Sequence, residues 1–182
     1  MKINIVFICF LLVSINSFSQ ENMVTISGGY AFANVGAIES NATGWRINGL
    51  FEFNPSGGML AHGLSFGYFN LQATEGVGSQ TIESKLFTTP LYYSPKVMFG
   101  SEKIKAFVKG ALGMQFAGLQ REGLITLDDT DFGFYGGGGG GIMFFIQENI
   151  FINAEYEIVW TSNDCYKDGW MNTAMAGIGF KF

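Results

Sequence analysis

The sequence predicts an all-β fold: a closed, antiparallel, up-and-down transmembrane β-barrel of about eight strands. Three observations lead there. Apolar residues recur at every second position along much of the chain. The 182 residues include 26 Gly and 19 Phe with only 14% charged residues and a mean hydropathy of +0.24, too apolar and aromatic for an ordinary soluble domain. After the first twenty residues no apolar run is long enough for a helix to cross a bilayer. An apolar chain that does not cross as helices must pair its backbone polar groups in a closed sheet.

The first element is not part of the barrel. Residues 1–19 read as a signal peptide: Lys2, an apolar run from Ile3 to about Val13, then Ser17-Phe18-Ser19 at a cleavage position near Ser19 to Gln20. The apolar run is too short to span a bilayer, and Cys9 lies inside it, which argues against a lipid anchor. Residues 20–182 form the barrel domain. Cys165 is then the single thiol outside the leader, so no disulfide framework is expected. Loss of Lys2 takes the formal net charge from −5 to −6, and an acidic chain excludes nucleic acid as a partner.

The strands follow in order at about 23–35, 42–54, 60–73, 84–99, 104–118, 130–147, 150–162 and 170–182. In 42–54, Trp45, Ile47, Gly49, Phe51 and Phe53 share one parity while Arg46, Asn48, Leu50 and Glu52 share the other. In 60–73, Phe69 and Leu71 shift the apolar parity after Tyr68, which predicts a bulge. In 104–118, Ala106, Val108, Leu112, Met114 and Phe116 oppose Lys105, Lys109, Gly113 and Gln115. In 150–162, Ile150, Ile152, Ala154, Tyr156, Ile158 and Trp160 oppose Asn153, Glu155 and Glu157. The last strand sets Ala174, Ala176, Ile178, Phe180 and Phe182 against Met175, Gly177, Gly179 and Lys181.

Within 130–147 lies "YGGGGGGIMFFI". Gly136, Gly138 and Gly141 fit a GxGxxG pattern, but Gln147, Glu148 and Asn149 make a turn where a nucleotide-binding helix would have to begin. Strand-like sequence on both sides excludes a linker. The remaining reading is a strand without side chains, where the sheet bends sharply and neighbours fill a narrow barrel.

Connections alternate as well. "NPSGGM", "GSEK" and "QEN" are short and follow the even strands, whereas longer polar stretches near 36–41, 74–83, 119–129 and 163–169 follow the odd ones. Tight periplasmic turns with longer outer loops have this arrangement, and both chain ends then face the periplasm. The apolar parity carries bulky Phe, Ile, Leu and Trp; the other is rich in Gly, Ala, Asn and Thr with isolated charges. That face is too sparse for a solvated exterior but suits the narrow interior of an eight-stranded barrel. A secreted soluble barrel of lipocalin type is the alternative that this inside-out pattern disfavours.

The leader, the alternating strands and the terminal "GIGFKF" resemble the small eight-stranded outer-membrane β-barrel family: the OmpA transmembrane domain, OmpX-like and PorT-like barrel proteins. The resemblance covers the whole mature chain. It implies location in the outer membrane of a Gram-negative bacterium after secretion to the periplasm, with lipid and lipopolysaccharide as surroundings. It also implies recognition by the barrel assembly machinery through Ile178, Phe180 and Phe182. Unlike OmpA, the sequence leads to no expectation of a peptidoglycan-binding domain after the barrel.

Four sets of candidate residues emerge. Arg46, Glu52, Lys96, Lys105, Lys109, Glu155, Glu157 and Lys181 take the inward parity and form a lumen ionic network, with Lys109 level with Glu155 and Arg46 level with Glu157. An ionic plug is preferred to a gated conduit, because buried charges must pair. Trp45, Tyr156, Trp160 and Trp170 toward outer strand ends, and Tyr93 and Phe99 toward periplasmic ends, make aromatic girdles. The outer segments are acidic; "LDDTD" at 127–131 offers oxygen ligands to a divalent cation but matches no complete calcium loop, so a solvated acidic loop is preferred. His62 would need a nearby Ser and an acid for hydrolysis, yet Ser65 has the opposite parity. The functional expectation is a non-enzymatic envelope protein with a structural or loop-mediated interaction role, no catalytic or metal site and no cofactor. A narrow-pore transporter and a lipid-modifying enzyme are the alternatives.

Overall fold

The computed structural model describes residues 21–35, 41–55, 58–77, 80–122, 127–162 and 165–182, so the leader expected over 1–19 lies outside the described residues. Eight strands appear in chain order: β1 (Glu21–Val35), β2 (Asn41–Asn54), β3 (Leu60–Val77), β4 (Gln80–Gly100), β5 (Ile104–Glu122), β6 (Leu127–Phe145), β7 (Ile150–Thr161) and β8 (Tyr166–Lys181). Each pairs antiparallel with the next, and β8 returns to β1, so the sheet closes as a barrel with no lipid-exposed edge. Reciprocal backbone hydrogen bonds between Asn22 and Phe182, 2.9 Å each, complete the closure at the periplasmic rim.

Burial alternates with parity. Along β7 every second residue from Phe151 to Thr161 is buried, and those between face outward. Large apolar side chains on the outer surface include Ile26, Leu64, Phe66, Val108, Leu112, Phe116 and Ile178, each more than half exposed. In water such a surface would aggregate; in hydrocarbon it is the solvated state.

The expected outer connections need correcting. Stretches 74–83 and 119–129 are not long loops: β3 continues to Val77 and β4 begins at Gln80, β5 runs to Glu122 and β6 starts at Leu127. Likewise β8 begins at Tyr166, inside the stretch 163–169. Polar composition marks where strands leave the membrane; their ladders of backbone hydrogen bonds continue without it.

The expected bulge in β3 is also absent. β2–β3 pairing holds a single register from Thr43↔Gln72 to Phe53↔His62, and β3–β4 pairing from Leu60↔Val97 to Val77↔Gln80. Phe69 and Leu71 point inward and are fully buried, because the outer half of the lumen has an apolar filling that the polar-interior pattern did not anticipate. The irregularity lies instead between β1 and β8, where the register shifts between Ala33 and Val35.

Gly136–Gly141 run straight through β6 in extended conformation. A Cβ on Gly137, Gly139 or Gly141 would lie 2.2–2.4 Å from a carbonyl oxygen of β7. The two strands approach too closely there for any side chain on that face.

Candidate functional site

The lumen is filled in three layers. Toward the periplasm, Met23, Met98, Phe107, Met143, Phe145 and Phe151 form an apolar cluster. Toward the outside, a second cluster includes Phe69, Leu71, Leu86, Leu119, Tyr166 and Met171. Between them lie the charges. Cys165 is buried in the outer cluster.

Arg46 from β2 is the centre of this middle layer. Its guanidinium meets Glu157 Oε1 at 2.5 Å, and donates to Thr173 Oγ1 at 3.1 Å, Asn48 Oδ1 at 3.3 Å and Tyr92 OH at 2.8 Å. It also stacks over the Phe69 ring, 4.5 Å from the centroid. Tyr135 OH donates to Glu157 Oε1 at 2.8 Å and Tyr92 OH to Oε2 at 3.2 Å. Lys109 Nζ lies 3.1 Å from Glu155 and 2.8 Å from Glu157. Lys96 Nζ lies 2.7 Å from Glu52 and 4.5 Å over the Phe107 ring. Both ammonium groups are thus paired with carboxylates across the lumen.

Three cations, Arg46, Lys96 and Lys109, thus balance three anions, Glu52, Glu155 and Glu157, all of them buried. Arg cannot shed its proton, so the layer is stable only while its carboxylates remain charged opposite it.

Two residues expected in this network stand apart from it. Lys181 is only partly buried at the periplasmic rim and pairs with Glu21 at 3.3 Å. Lys105 keeps the inward parity but sits in a vestibule of about 620 Å³ below the apolar cluster, its Nζ 5.4 Å over the Phe145 ring. Inward parity gives a side chain's face and not its depth, and both lie beyond the sealed part of the lumen.

Sequence reasoning missed Tyr92, Tyr135, Asn48 and Thr173. A signal existed for Tyr92, which stands four residues before Lys96 and so shares its face. No such signal existed for Tyr135, because the glycines that follow it carry no polarity to define a face.

The remaining candidates are on the exterior. Trp45, Tyr93, Phe99, Tyr156, Trp160, Trp170 and Phe182 all face outward and are exposed. Ile178 and Phe180 share that face, and Phe180 stacks on Phe182 with centroids 6.1 Å apart. His62 also faces outward, its Nδ1 2.5 Å from Tyr93 OH, while Ser65 is buried inside and bonds Asn48 Oδ1 at 3.0 Å. The sheet itself separates that pair, so it forms no catalytic couple. Of "LDDTD", Asp131 Oδ1 accepts the Phe132 N–H at 2.8 Å, and no metal-ligand cluster exists among the described residues.

Closed topology, an apolar exterior and a buried charge layer coincide with a family match over nearly the whole length: the outer membrane protein beta-barrel domain, residues 5–182. The chain belongs to the outer-membrane β-barrel family. Solved barrels of the same fold include Neisserial surface protein A (16% identity, TM-score 0.68), covering 88% of this chain and 97% of that one. Ail, the attachment invasion locus protein of Yersinia pestis, in complex with a heparin analogue, is 19% identical with TM-score 0.58, over 90% and 99% of the two chains. The N-terminal β-barrel domain of Pseudomonas aeruginosa OprF is 12% identical with TM-score 0.54, over 88% and 97%. No curated protein sequence matches. As an outer-membrane β-barrel, the chain resides in the outer membrane of a Gram-negative envelope with its apolar face in lipid.

Proposed function

We propose that this barrel is a non-enzymatic, non-conducting envelope protein whose protruding outer sheet makes contact with other proteins. The observation that carries this reading is the unequal length of the strands. β7 ends at Thr161, which pairs with Tyr135, so β6 continues for eight further residues, Leu127–Phe134, with β5 as its only strand neighbour among the described residues. At about 3.3 Å per residue that is roughly 26 Å of strand. β3 and β4 extend past β2 in the same direction, to Val77 and Gln80.

On the open side of β6, the Phe134 N–H donates to Ser162 Oγ at 2.8 Å and the Phe132 N–H to its neighbour Asp131. By the two-residue period, the N–H groups of Thr130 and Asp128 face that same open side. An exposed edge of this kind accepts an extended segment of a partner by backbone pairing. The packed lumen argues against transport, and the separation of His62 from Ser65 argues against lipid hydrolysis. Trp45, Tyr156, Trp160, Trp170, Tyr93 and Phe99 serve as girdles at the two interfaces, and Ile178, Phe180 and Phe182 as the segment that the barrel assembly machinery reads.

The test combines two measurements. In planar bilayers the purified protein gives no single-channel steps. A photo-crosslinker at Thr130 captures a defined surface protein on living cells, and Thr130→Pro, which removes an edge donor without touching the β5 ladder, abolishes partner binding measured with that captured protein. Channel activity, or partner binding indifferent to Thr130→Pro, overturns the reading.

A further inference from the structure

Beneath the lower apolar cluster, the periplasmic mouth of the barrel opens into the vestibule of about 620 Å³, lined among others by Lys105, Phe145, Ile146, Glu102, Glu148 and Lys181. That volume is within the range of small-ligand sites. Its walls are fixed before anything enters. The turn of residues 101–104 is closed by the Ser101 N–H on the Ile104 carbonyl at 2.8 Å and by the Ile104 N–H on Ser101 Oγ at 3.2 Å. The Phe145 N–H donates to the Lys103 carbonyl at 2.9 Å and the Lys181 N–H to the Asn149 carbonyl at 2.8 Å, which ties neighbouring strand ends and turns together. The floor ring, Phe145, packs on Phe151 with centroids 5.1 Å apart. A preformed chamber of this kind loses little ordering entropy when a ligand enters.

Charge in the vestibule is layered by depth, and the register gives the layers. Lys105 pairs with Met143 and Lys181 with Met23, so both lysines start level with the apolar cluster. Glu102 and Glu148 stand on turns beyond the last ladder pairs, at the rim. Lys103 shares the first of those turns but leans outward, its Nζ 5.6 Å over the ring of Phe144, an exposed residue of the lipid face. Lys181 is matched by Glu21. Among the described residues, Lys105 is held by a ring face in place of an ion pair, its Nζ 5.4 Å from the Phe145 centroid. A ring takes up none of the three ammonium donors in conventional hydrogen bonds, so they are left for an anion.

The rim selects which anion. A phosphate or polyanion entering the mouth meets Glu102 and Glu148, like charges that repel it. A ligand with one carboxylate at its tip, apolar surface next and a cation behind matches the layers in order: Lys105, then Phe145 and Ile146, then the two rim glutamates. A polypeptide C-terminus has this form when a basic residue shortly precedes it. Glu102 stands three residues from Lys105, at most about 10 Å along an extended chain, which sets the basic residue about three positions before the carboxylate.

We propose that the periplasmic vestibule captures the free C-terminus of a periplasmic polypeptide with a Lys or Arg about three residues before its end. The terminal carboxylate bonds Lys105, the terminal apolar side chain lies on Phe145 and Ile146, and the basic side chain meets Glu102 and Glu148.

The full barrel in nanodiscs, with both faces accessible, is titrated into a fluorescently labelled peptide ending in Lys-Ala-Gly-Phe, and anisotropy reads the binding. Amidation of the peptide's carboxylate and the substitution Lys105→Gln each weaken binding about tenfold or more, whereas Lys105→Arg keeps it. Replacing the peptide's lysine by glutamate weakens binding to the native barrel several-fold, and that preference disappears in Glu102→Gln/Glu148→Gln. Glu83→Gln, at the outer end of β4, binds as the native protein does; heat-dependent gel mobility verifies that each variant is folded. No binding of the acid peptide, equal binding of acid and amide, or a Lys105→Gln barrel that binds like the native one overturns the proposal. Phenylacetate binding as tightly as the peptide overturns the polypeptide assignment and moves the site to small carboxylates.

Discussion

Lys109 of β5 and Glu157 of β7 meet at 2.8 Å across a strand that lies between them, and the residue of β6 in register with both is Gly139. The absent side chain is what lets the pair form. A Cβ at Gly139 would stand 2.4 Å from the Tyr156 carbonyl oxygen and 3.0 Å from the Glu157 Cα.

Gly139→Ala is therefore expected to destabilise the barrel by about 1–3 kcal/mol, the ordinary cost of forcing volume into a packed site. Gly49→Ala is the matched control, because its Cβ would meet nothing closer than 3.9 Å. Urea unfolding in lipid vesicles, followed by tryptophan fluorescence, measures both; equal midpoints would show that the close approach carries no strain.

Removing one charge from the middle layer leaves another uncompensated. Lys109→Met is expected to cost about 3–5 kcal/mol, and the further change Glu155→Gln to recover much of it by restoring neutrality. The same unfolding experiment provides the double-mutant cycle. If the two losses add, Lys109 and Glu155 do not act as a pair.

An exterior in hydrocarbon predicts a penalty for outward charge. Leu112 faces outward in the middle of β5, and Leu112→Arg is expected to lower stability in vesicles by about 2–4 kcal/mol. A soluble β-barrel would tolerate a surface arginine, so an unchanged midpoint contradicts the membrane orientation.

Substitution of Phe182 tests assembly apart from stability. Its backbone pairs with Asn22 whatever its side chain, and its ring faces outward. Phe182→Ser is expected to reduce the amount of barrel assembled in cells several-fold while refolding in detergent stays near that of the native protein. Parallel losses in both assays would make Phe182 a packing residue and remove its role in recognition.

How much of this was legible in the sequence depended on how local the cause was. Arg46, Lys109, Glu155 and Glu157 could be placed inside because each follows the period-two pattern of its own strand. Their depth was less visible: Lys105 and Lys181 share that parity, yet lie at the periplasmic mouth. Phe69 and Leu71 read as a break in the pattern because apolar residues inside an inside-out barrel contradict the expected polarity. The outer ends of β3 to β6 read as loops, since a polar strand in water and a polar loop have the same composition.

Alternation by itself determined that this chain is an outward-apolar barrel of eight strands, because side-chain direction in a strand is set residue by residue by backbone pleating. It also decided which charges face inward. Only the tertiary structure decided which of them meet, that Gly139 lets Lys109 reach Glu157, and that β6 runs past the end of β7. Those relationships depend on the register of neighbouring strands around a closed ring, and no single strand contains that information.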